Sequence, residues 1–572
     1  MKDSSGNLVE TPEMMLRRVA KAIAKIDLNY DDSADIDSIE LDFYSIMANL
    51  EFLPNSPTLM NAGTDCGQLS ACFVLPIGDS LESIYDTVKY SAYINRTGGG
   101  TGFSFSKIRP KGDIVSSTKG QASGPISFME LFDKSTDVIK EGGKRRGANM
   151  AILSVTHPDI IDFIKSKREE NKLTNFNISV AVTDDFMHRV DLNANIDLIN
   201  PRTLEKVRSV SAREIFDLIV RSAWESGDPG LVFIDEINRH NPTPYIGPID
   251  STNPCGEQPL LPYESCNLGS INLSRMVNSS NNIDLKKLGA TVESAIHFLD
   301  NVIDANKFPL KEIEGITRRN RKIGLGVMGF ADMLIRLNIP YDSVEALAKA
   351  EEIMEFISKK ARETSVKLAE ERGSFPTFEG SVWHKAGYES MRNATLTTIA
   401  PTGSISLIAG TSSGIEPLFG VVYMREKILE INPYFEEISK KRGFFNEDLI
   451  LKISESGSVR NFDEIPSDVK RVFLTAFDIP SDKHLEMQAA FQRHCDNAVS
   501  KTINLESNTK PSEVERIFRL AFAYRLKGIT IYRYGTRRGQ TLTFKEKDDS
   551  SRKYLNVELE YSGGCTRGVC HY

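Results

Sequence analysis

The feature that most constrains the fold is the alternation of strand and helix patterns along most of the chain. Short apolar runs bounded by Gly, Pro or Asp predict buried strands at 178–182, 323–328 and 396–400. Apolar residues at helical spacing recur between such runs. This alternation favours an α/β architecture over segregated helices and sheets, and the ends of the strands are where we expect ligand chemistry.

Two helices can be bounded by their capping signals. A capping box that begins at Ser211 opens an apolar stripe that stops at Gly227. A second, longer stripe opens at Asp342 and closes at Gly373. Residues 1–95 also carry mainly helical patterns, so the chain is expected to begin with helices and continue with strand-loop-helix units.

Length and charge exclude several classes of protein. The 572 residues exceed the roughly 250–300 at which a single hydrophobic core stops growing, so we expect several domains or one large barrel. The net charge of −8 gives no basic surface for a nucleic-acid polymer or an anionic membrane. No stretch approaches the roughly 18 apolar residues of a membrane span, and the N-terminus carries no apolar targeting region. We therefore expect a cytoplasmic protein with neither a nucleic-acid-polymer nor a membrane partner.

The cysteines are odd in number and thinly spread, which argues against a secreted disulfide framework. We expect reduced thiols, of which the important ones are catalytic. The seven are Cys66, Cys72, Cys255, Cys266, Cys495, Cys565 and Cys570.

The most informative cluster is formed by Asn253, Cys255 and Glu257, which alternate along five residues. In an extended or looped segment this spacing points an amide, a thiol and a carboxylate toward one side. Such a cluster can do thiol and acid–base chemistry. A buried cysteine whose polar neighbours merely satisfy a loop is the alternative, and the cluster alone leaves it open.

A second candidate is the loop 401–406, which follows the apolar run at 396–400. Gly together with Ser and Thr allows backbone N–H groups and hydroxyls to converge on a phosphate at a helix start. An ordinary Pro-Gly turn is the alternative. The loop lacks the G-x₄-G-K-[ST] pattern of a P-loop.

Several segments, read in order, resemble the core motifs of the ribonucleotide reductase catalytic subunit, over about residues 52–540. The agreement of several motifs in order is more specific than any single match. The motifs are NSPTLMNAG from Asn55, LSACF from Leu69, NPCGE from Asn253, SCNLGSINL from Ser265 and APTGSIS from Ala400.

The resemblance implies an α/β fold, a ten-stranded barrel of two five-stranded half-sheets with a central finger loop, preceded by a mainly helical N-terminal region. It divides the chain into a helical region at 1–50, a barrel with a specificity site at 51–545, and a flexible tail with a redox cysteine pair at 546–572.

The resemblance also implies catalytic roles. Cys255 becomes the transient thiyl that takes the 3′-hydrogen of the ribose, and Glu257 accepts the 3′-OH proton. Asn253 holds the ribose hydroxyls and Glu257 in register. Cys72 and Cys266 match the pair of thiols that closes to a disulfide and delivers two electrons. By sequence alone these two could be unrelated buried cysteines.

The last ten residues contain Cys565 and Cys570, which would pass electrons from a thioredoxin- or glutaredoxin-like reductant to the buried disulfide. A metal half-site is the weaker alternative, because the four-residue gap is not the C-x₂-C spacing of zinc sites. Many cobalamin-dependent relatives have a longer cysteine-rich tail, so the mechanics of the relay stay open.

Nucleotide-binding residues follow from the same resemblance. The residues expected to bind the ribonucleotide substrate are Ser56, Thr58, Ser70, Ala71, Gly99, Pro401, Thr402, Gly403, Ser404 and Ile405. Those expected to bind a dNTP or ATP effector are Asp79, Ser80, Lys144, Arg145 and Arg146. A charged solvent loop is the plain alternative for the last three. In the family the effector site lies at a dimer interface, so a homodimer is implied.

The radical source is indicated by the stretch KGITIYRYGTR at 527–537. Relatives that receive the radical from a separate metal protein carry two adjacent tyrosines, whereas here Tyr532 is followed by Arg533. No glycyl-radical loop of the R-V-x-G-Y kind is present near the C-terminus. The resemblance therefore implies adenosylcobalamin as the cofactor and no metal site made of protein ligands.

The expected function is reduction of ribonucleotides, with ribonucleoside diphosphates as the expected substrates, under dNTP control of specificity. Two alternatives are kept. One is the same reaction with a radical supplied by a separate metal-containing subunit. The other is a catalytically silent nucleotide-binding regulator on the same fold. Cys66 and Cys495 receive no role, and core packing or chance is the default expectation for both.

Overall fold

The computed structural model describes residues 7, 9–115, 118–140, 147–168, 172–425, 428–536 and 542–543. Five residues with predicted functions lie outside them, namely Lys144, Arg145, Arg146, Cys565 and Cys570. In the part of the chain that is described, no helix has both the length and the apolar character needed to cross a membrane.

Helices open the chain and alternate with strands afterwards. They are α1 (Pro12–Ala24), α2 (Ile36–Ala48), α3 (Ser56–Asn61), α4 (Leu81–Arg96), α5 (Pro125–Lys140), α6 (Ile160–Lys165), α7 (Asp184–Asp191), α8 (Ala212–Ser226), α9 (Ile234–Arg239), α10 (Leu285–Ala305), α11 (Lys311–Asn320), α12 (Phe330–Arg336), α13 (Val344–Arg372), α14 (Val382–Lys385), α15 (Gly403–Ala409), α16 (Pro433–Arg442), α17 (Glu447–Ser456), α18 (Ser467–Val472), α19 (Ser481–Gln492) and α20 (Pro511–Ala523), with 3₁₀ turns at Lys25–Asn29 and Leu273–Met276.

Seventeen strands are described, and ten of them belong to one large sheet. They are β1 (Phe52–Pro54), β2 (Cys72–Val74), β3 (Gly100–Ser104), β4 (Asn149–Ser154), β5 (Phe176–Val182), β6 (Asn195–Ile199), β7 (Lys206–Ser211), β8 (Gly230–Phe233), β9 (Ser251–Thr252), β10 (Pro259–Leu260), β11 (Ser265–Asn272), β12 (Ile323–Met328), β13 (Val422–Arg425), β14 (Ile428–Ile431), β15 (Thr502–Leu505), β16 (Gly528–Arg533) and β17 (Leu542–Thr543).

The two helices predicted from capping signals are confirmed. The Ser211 side chain caps α8 by accepting a hydrogen bond from the Glu214 N–H, and Gly227 ends the helix in the left-handed conformation. In α13 the cap is Ser343 and not Asp342, because the Ser343 hydroxyl accepts the Ala346 N–H at 3.1 Å.

The large sheet closes into a barrel of two half-sheets. In the first, β2, β3, β4, β5 and β8 are parallel neighbours in that order. In the second, β11 is parallel to β12, and β15 is parallel to β16. Antiparallel pairing joins the halves at two seams, β2 with β11 and β8 with β16. The predicted α/β fold class is confirmed.

The tenth strand position, between β12 and β15, is filled by the predicted strand at 396–400, which forms isolated parallel bridges instead of a continuous ladder. Thr397 bridges Leu325, and Ile399 bridges Val499. The Asp496 carboxylate accepts the N–H groups of residues 396 and 397, at 2.9 and 3.3 Å. A side chain therefore takes backbone donors that a regular ladder would use.

A short antiparallel hairpin of β9 and β10 runs across the barrel. It passes so close to β3 that a Cβ at Gly102 would lie 1.7 Å from the backbone oxygen of Thr252. Only glycine allows this approach. We call the loop between the two strands, residues 253–258, the finger loop.

Candidate active site

The finger loop is closed by its own first residue. The Asn253 N–H donates to the Gln258 oxygen at 3.1 Å, and the Gln258 N–H donates to the Asn253 side-chain oxygen at 3.0 Å. Gly256 adopts a φ of +82°, which favours glycine, and its N–H donates to the Asn253 oxygen. The loop therefore presents Cys255 and Glu257 from a fixed turn.

The loop faces an open cleft of about 750 Å³ in the barrel. Residues from β2, the β3 entrance, the finger loop and the loop before α15 meet there, although they are far apart in sequence. The predicted residues that line it are Ser56, Ala71, Cys72, Gly99, Asn253, Cys255, Glu257, Pro401, Thr402, Gly403, Ser404 and Ile405.

Two predicted substrate residues do not line the cleft. The buried Thr58 donates to the Leu69 oxygen at 3.1 Å, and the buried Ser70 hydroxyl accepts from the Asn306 side chain at 2.9 Å. These side chains support the wall of the cleft from behind. Asn55 also lines the cleft, although it was not predicted to, and its buried Nδ2 has no hydrogen-bond partner among the described residues. The signal was present, since Asn55 begins the quoted NSPTLMNAG motif.

Glu257 is the buried acid–base group of the cleft. One carboxylate oxygen lies 3.8 Å from the Cys72 thiol, which donates to it. The other oxygen is buried without a hydrogen-bond partner in the described part of the chain. Burial raises the pKa of Glu257 to about 7. The carboxyl group can therefore take up and release a proton near neutral pH.

Cys72 and Cys266 face each other directly across the antiparallel seam between β2 and β11. Opposite residues in such a pair have Cα atoms about 4.5–5.5 Å apart, inside the range of about 4.4–6.8 Å that disulfides need. Both side chains are buried thiols, and burial raises the pKa of each. The Asn253 amide donates to the Cys72 sulfur at 3.1 Å. The structure thus brings together two cysteines separated by almost 200 positions.

The loop before α15 leaves backbone donors directed at the cleft. The Thr402 side chain does not cap the helix, because its hydroxyl accepts the Gly414 N–H at 2.8 Å. The N–H groups of Gly403 and Ser404 are in the first turn of α15, where they have no partner within the helix. A phosphate can accept hydrogen bonds from these groups.

The two predicted effector residues that the structure describes, Asp79 and Ser80, do not line the cleft. Asp79 forms an ion pair with Arg109 at 2.8 Å and also accepts the Arg109 N–H at 3.0 Å. Ser80 caps α4 by accepting the Ser83 N–H at 3.2 Å. Both side chains are therefore already engaged within the chain.

Tyr532 and Arg533 point to opposite faces of β16, as successive residues of a strand do. Tyr532 is buried, whereas the Arg533 guanidinium lies 4.2 Å from the centre of the Trp224 ring. Its Nε donates to the Trp224 oxygen at 3.0 Å. Arg533 therefore has a packing role at the position where a second tyrosine would stand.

Cys66 and Cys495, the two other described cysteines, do not line the cleft. Cys66 is exposed, and Cys495 is buried in the hydrophobic core beside α19, where burial raises the pKa of its thiol. Among the described residues, no group of three or more His, Cys, Asp and Glu side chains is placed to hold a metal ion.

Two family models match the chain. The model described as "Ribonucleotide reductase, barrel domain" matches residues 70–532, and the model described as "Ribonucleotide reductase, all-alpha domain" matches residues 1–67.

Two relatives match this chain over its whole length. The chain is 49% identical to a vitamin B12-dependent ribonucleoside-diphosphate reductase of Thermoplasma acidophilum, over 100% of this chain and 84% of that protein. It is 47% identical to the protein of the same name in Mycobacterium tuberculosis, over 100% of this chain and 81% of that one. The solved structure of the Actinobacillus ureae class Id ribonucleotide reductase alpha subunit superposes with a TM-score of 0.78 at 26% identity, covering 93% of this chain and 95% of the other.

Proposed function

Because the chain belongs to the ribonucleotide reductase large-subunit family, we propose that it reduces ribonucleoside diphosphates to 2′-deoxyribonucleotides with adenosylcobalamin as its cofactor. Relatives named vitamin B12-dependent ribonucleoside-diphosphate reductases are 47–49% identical over the whole chain. The observation that carries the proposal is the single cleft in which Cys255, Cys72 and Glu257 meet. The reaction needs a thiol that becomes the radical, a thiol that supplies electrons, and a base.

The cleft fits a cofactor that acts on one thiol. Cys255 is half-buried at the open side of the cleft, whereas Cys72 and Cys266 are buried. Adenosylcobalamin supplies, when bound, the organic radical that removes the hydrogen atom of the Cys255 thiol. Arg533, held against Trp224, offers no second phenol for radical transfer from another subunit. The chain's own contribution is to hold Cys255 on the closed finger loop.

The ribose chemistry divides between Cys255 and Glu257. The Cys255 thiyl takes the 3′-hydrogen, which makes departure of the 2′-hydroxyl feasible. The unpartnered oxygen of Glu257 accepts the 3′-OH proton, and a pKa of about 7 suits a base that must also release the proton. The free Nδ2 donor of Asn55 is available for a ribose or phosphate oxygen.

The electrons come from Cys72 and Cys266. Their two thiols lose two hydrogen equivalents and close to a disulfide, while the 2′-hydroxyl leaves as water. The hydrogen taken from C3′ returns from Cys255 at the end, so Cys255 is regenerated. The net change is one ribonucleotide and two thiols converted to one deoxyribonucleotide, one disulfide and one water.

The substrate is oriented by the loop before α15, whose Gly403 and Ser404 N–H groups are placed for the diphosphate. Because this loop and the finger loop line the same cleft, a diphosphate bound there brings the ribose to Cys255.

The proposed partners are a protein reductant, a nucleotide effector and a second copy of the chain. Cys565 and Cys570 re-reduce the buried disulfide with electrons from a thioredoxin- or glutaredoxin-like protein. A dNTP or ATP effector binds near Asp79 and Ser80 at a homodimer interface. Support for a homodimer comes from exposed apolar side chains on α4 and α5, two adjacent helices, since Leu81 is 65% exposed, Tyr85 57% and Val138 65%.

The test is deoxyribonucleotide formation by the purified full-length chain with dithiothreitol, an effector and a ribonucleoside diphosphate, with and without adenosylcobalamin in the dark. We expect product only with the cofactor, and none from a folded Cys255→Ser variant. Product without cofactor, or product that requires a separate metal-containing subunit, would refute the cofactor assignment. No product under any of these conditions would refute the reductase activity.

A further inference from the structure

A lysine–glutamate ion pair lies inside the barrel next to the cysteine pair. The Lys322 ammonium is 2.7 Å from a carboxylate oxygen of Glu264, and each side chain is only 1% exposed. Burying two charges is costly, and replacing such a pair by apolar side chains is often neutral or stabilising. Its presence in the barrel therefore calls for a chemical reason.

Glu264 holds the lysine in place. Its carboxylate also accepts the Leu261 N–H at 2.6 Å and the side-chain amide of Asn320. Asn320 is held in turn by the Thr377 hydroxyl at 2.5 Å. With several donors on one carboxylate, the negative charge is stabilised, and the position of the Lys322 ammonium is fixed. Glu264 is the one hydrogen-bond acceptor that the described residues give this ammonium.

The pair lies on the side of the sheet that carries the Cys266 thiol. Glu264 immediately precedes β11 and is two positions before Cys266, the spacing that puts side chains on one side of an extended chain. Lys322 immediately precedes β12, the parallel neighbour of β11, and its backbone oxygen accepts from the Cys266 sulfur at 3.6 Å. Burial raises the pKa of Cys266. The Lys322 charge opposes that rise, and the smaller effects of the Glu264 and Glu257 charges add to it.

The two cysteines therefore differ in their surroundings. Cys72 lines the open cleft, next to the Glu257 carboxyl, while Cys266 does not line the cleft. The negative charge of Glu257 adds to the rise that burial causes in the pKa of Cys72, and the smaller effect of the hydrogen bond from Asn253 offsets it only in part. An incoming thiol meets Cys72 first, and a thiolate is better accommodated at Cys266.

We propose that Lys322 is a positioning residue that gives disulfide exchange a fixed direction, with Cys72 as the sulfur attacked and Cys266 as the leaving thiolate. The inference rests on the proposed function, in which these two thiols are oxidised in each turnover. An incoming thiolate forms a new S–S bond with Cys72. The Cys72–Cys266 bond breaks, and its electron pair stays on Cys266, where the Lys322 charge favours a thiolate. The second thiol of the reductant then attacks the mixed disulfide, so the reductant leaves as a disulfide and the Cys72 and Cys266 thiolates each take up a proton.

The experiment uses the full-length chain with Cys565→Ser and Cys570→Ser, so that added glutathione is the nucleophile. Diamide oxidises the protein, and peptide mass spectrometry verifies the Cys72–Cys266 disulfide. Glutathione is added, samples are acid-quenched, and the cysteine that carries glutathione is mapped over time. We expect glutathione on Cys72. Glutathione on Cys266, or no recoverable Cys72–Cys266 disulfide, would overturn the inference.

Variants then test Lys322 itself. Lys322→Met combined with Glu264→Gln removes both charges, so no unpaired buried charge is left. We expect disulfide opening to slow by about tenfold because the leaving thiol loses its neighbouring cation. Lys322→Arg keeps the cation and should restore most of the rate. An unchanged rate in the double variant would overturn the role of Lys322.

A matched control separates this effect from general damage to the barrel. The buried Lys501 pairs at 2.6 Å with Glu416, which is 29% exposed, and neither side chain makes a described hydrogen bond to either cysteine. Lys501→Met with Glu416→Gln should leave the opening rate near that of the parent, and an equal slowing would contradict the inference. Because diamide forms the disulfide without turnover, an inactive but directionally opened protein would reject the reductase activity and leave the exchange mechanism standing.

Discussion

Burial raises the pKa of Glu257 to about 7, which is the pH range in which its carboxyl group must take up and release a proton. As the pH rises through 7, the carboxylate form that accepts the 3′-OH proton becomes populated. We predict an acid limb near pH 7 in the rate of product formation. Glu257→Gln should lower kcat by about 10²–10⁴-fold, the usual contribution of a general base. Both results are read from initial rates of deoxyribonucleotide formation between pH 5.5 and 8.5.

The same residue makes a prediction about stability. A carboxyl whose folded-state pKa is raised contributes stability that is present below its unfolded value near 4.5 and is lost as the pH rises to about 7. Glu257→Gln cannot lose that contribution. Urea unfolding at several pH values should therefore show the variant gaining on the parent protein from pH 5 to 7, with no further gain above pH 8. A constant difference across this range would contradict the buried-carboxyl account.

For single residues, the sequence predicted which of them belong to the site better than it predicted which way their side chains point. The spacing of Asn253, Cys255 and Glu257 made them candidates and the family resemblance gave them roles, and all three line the cleft. Thr58 was assigned to the cleft because it shares a motif with residues that line it, but its hydroxyl points to the Leu69 oxygen. A motif shows which residues are neighbours in the chain and not which way each side chain points. Asn55 was overlooked for the same reason.

The finger loop depends on one glycine of a neighbouring strand. In Gly102→Ala, the new Cβ would meet the Thr252 backbone oxygen at 1.7 Å, so the β9–β10 hairpin must shift. We predict loss of most activity, with a stability loss of about 1–3 kcal/mol from overpacking. Initial rates and urea unfolding measure the two effects.

Gly315→Ala is the control for Gly102→Ala. Gly315 lies within α11, and a Cβ there meets nothing within 4 Å. Alanine at that site should leave activity unchanged and raise stability slightly, by up to about 1 kcal/mol. Full activity in Gly102→Ala would show that the close crossing of β3 does not position Cys255.

Helices and strands were predicted correctly where nearby residues determine where they begin and end. The capping box at Ser211 and the glycine at 227 bound α8, because both act within one turn of the helix. The strand at 396–400 is correctly placed but not regular, since Asp496, about 100 residues later, takes its backbone donors. The seam that pairs Cys72 with Cys266 is also long-range, and periodicity contains no information about it.

At the scale of the whole molecule, a buried ion network joins the N-terminal helical region to the barrel helices. Arg372 at the end of α13 pairs with Asp27, donates to Asn301 at 2.7 Å and stacks on the Tyr30 ring at 4.7 Å. Arg372→Met takes the guanidinium away from the buried Asp27, which keeps its contacts with His297 and Asn301. We predict a loss of about 3–5 kcal/mol in the free energy of unfolding, measured with urea.

The control for Arg372→Met is Lys452→Met, which breaks an exposed ion pair with Asp448. Exposed pairs contribute little, so the change should stay within about 0.5 kcal/mol. Equal effects of the two substitutions would mean that the N-terminal region is not held by the buried network.

The central claim is that Cys255 starts the reaction and that Cys72 and Cys266 reduce the substrate. Cys255, the thiol that starts the reaction, lines the same cleft as Cys72, and Cys266 faces Cys72 across the seam between β2 and β11. The direct measurement is a single turnover by prereduced full-length chain carrying Cys565→Ser and Cys570→Ser, with substrate, effector and adenosylcobalamin but no external reductant. The account predicts about one deoxyribonucleotide per chain, matched by conversion of the Cys72 and Cys266 thiols to a disulfide, and none when Cys255 is also changed to Ser. Product from the Cys255→Ser chain, or product formed while Cys72 and Cys266 remain thiols, would contradict it.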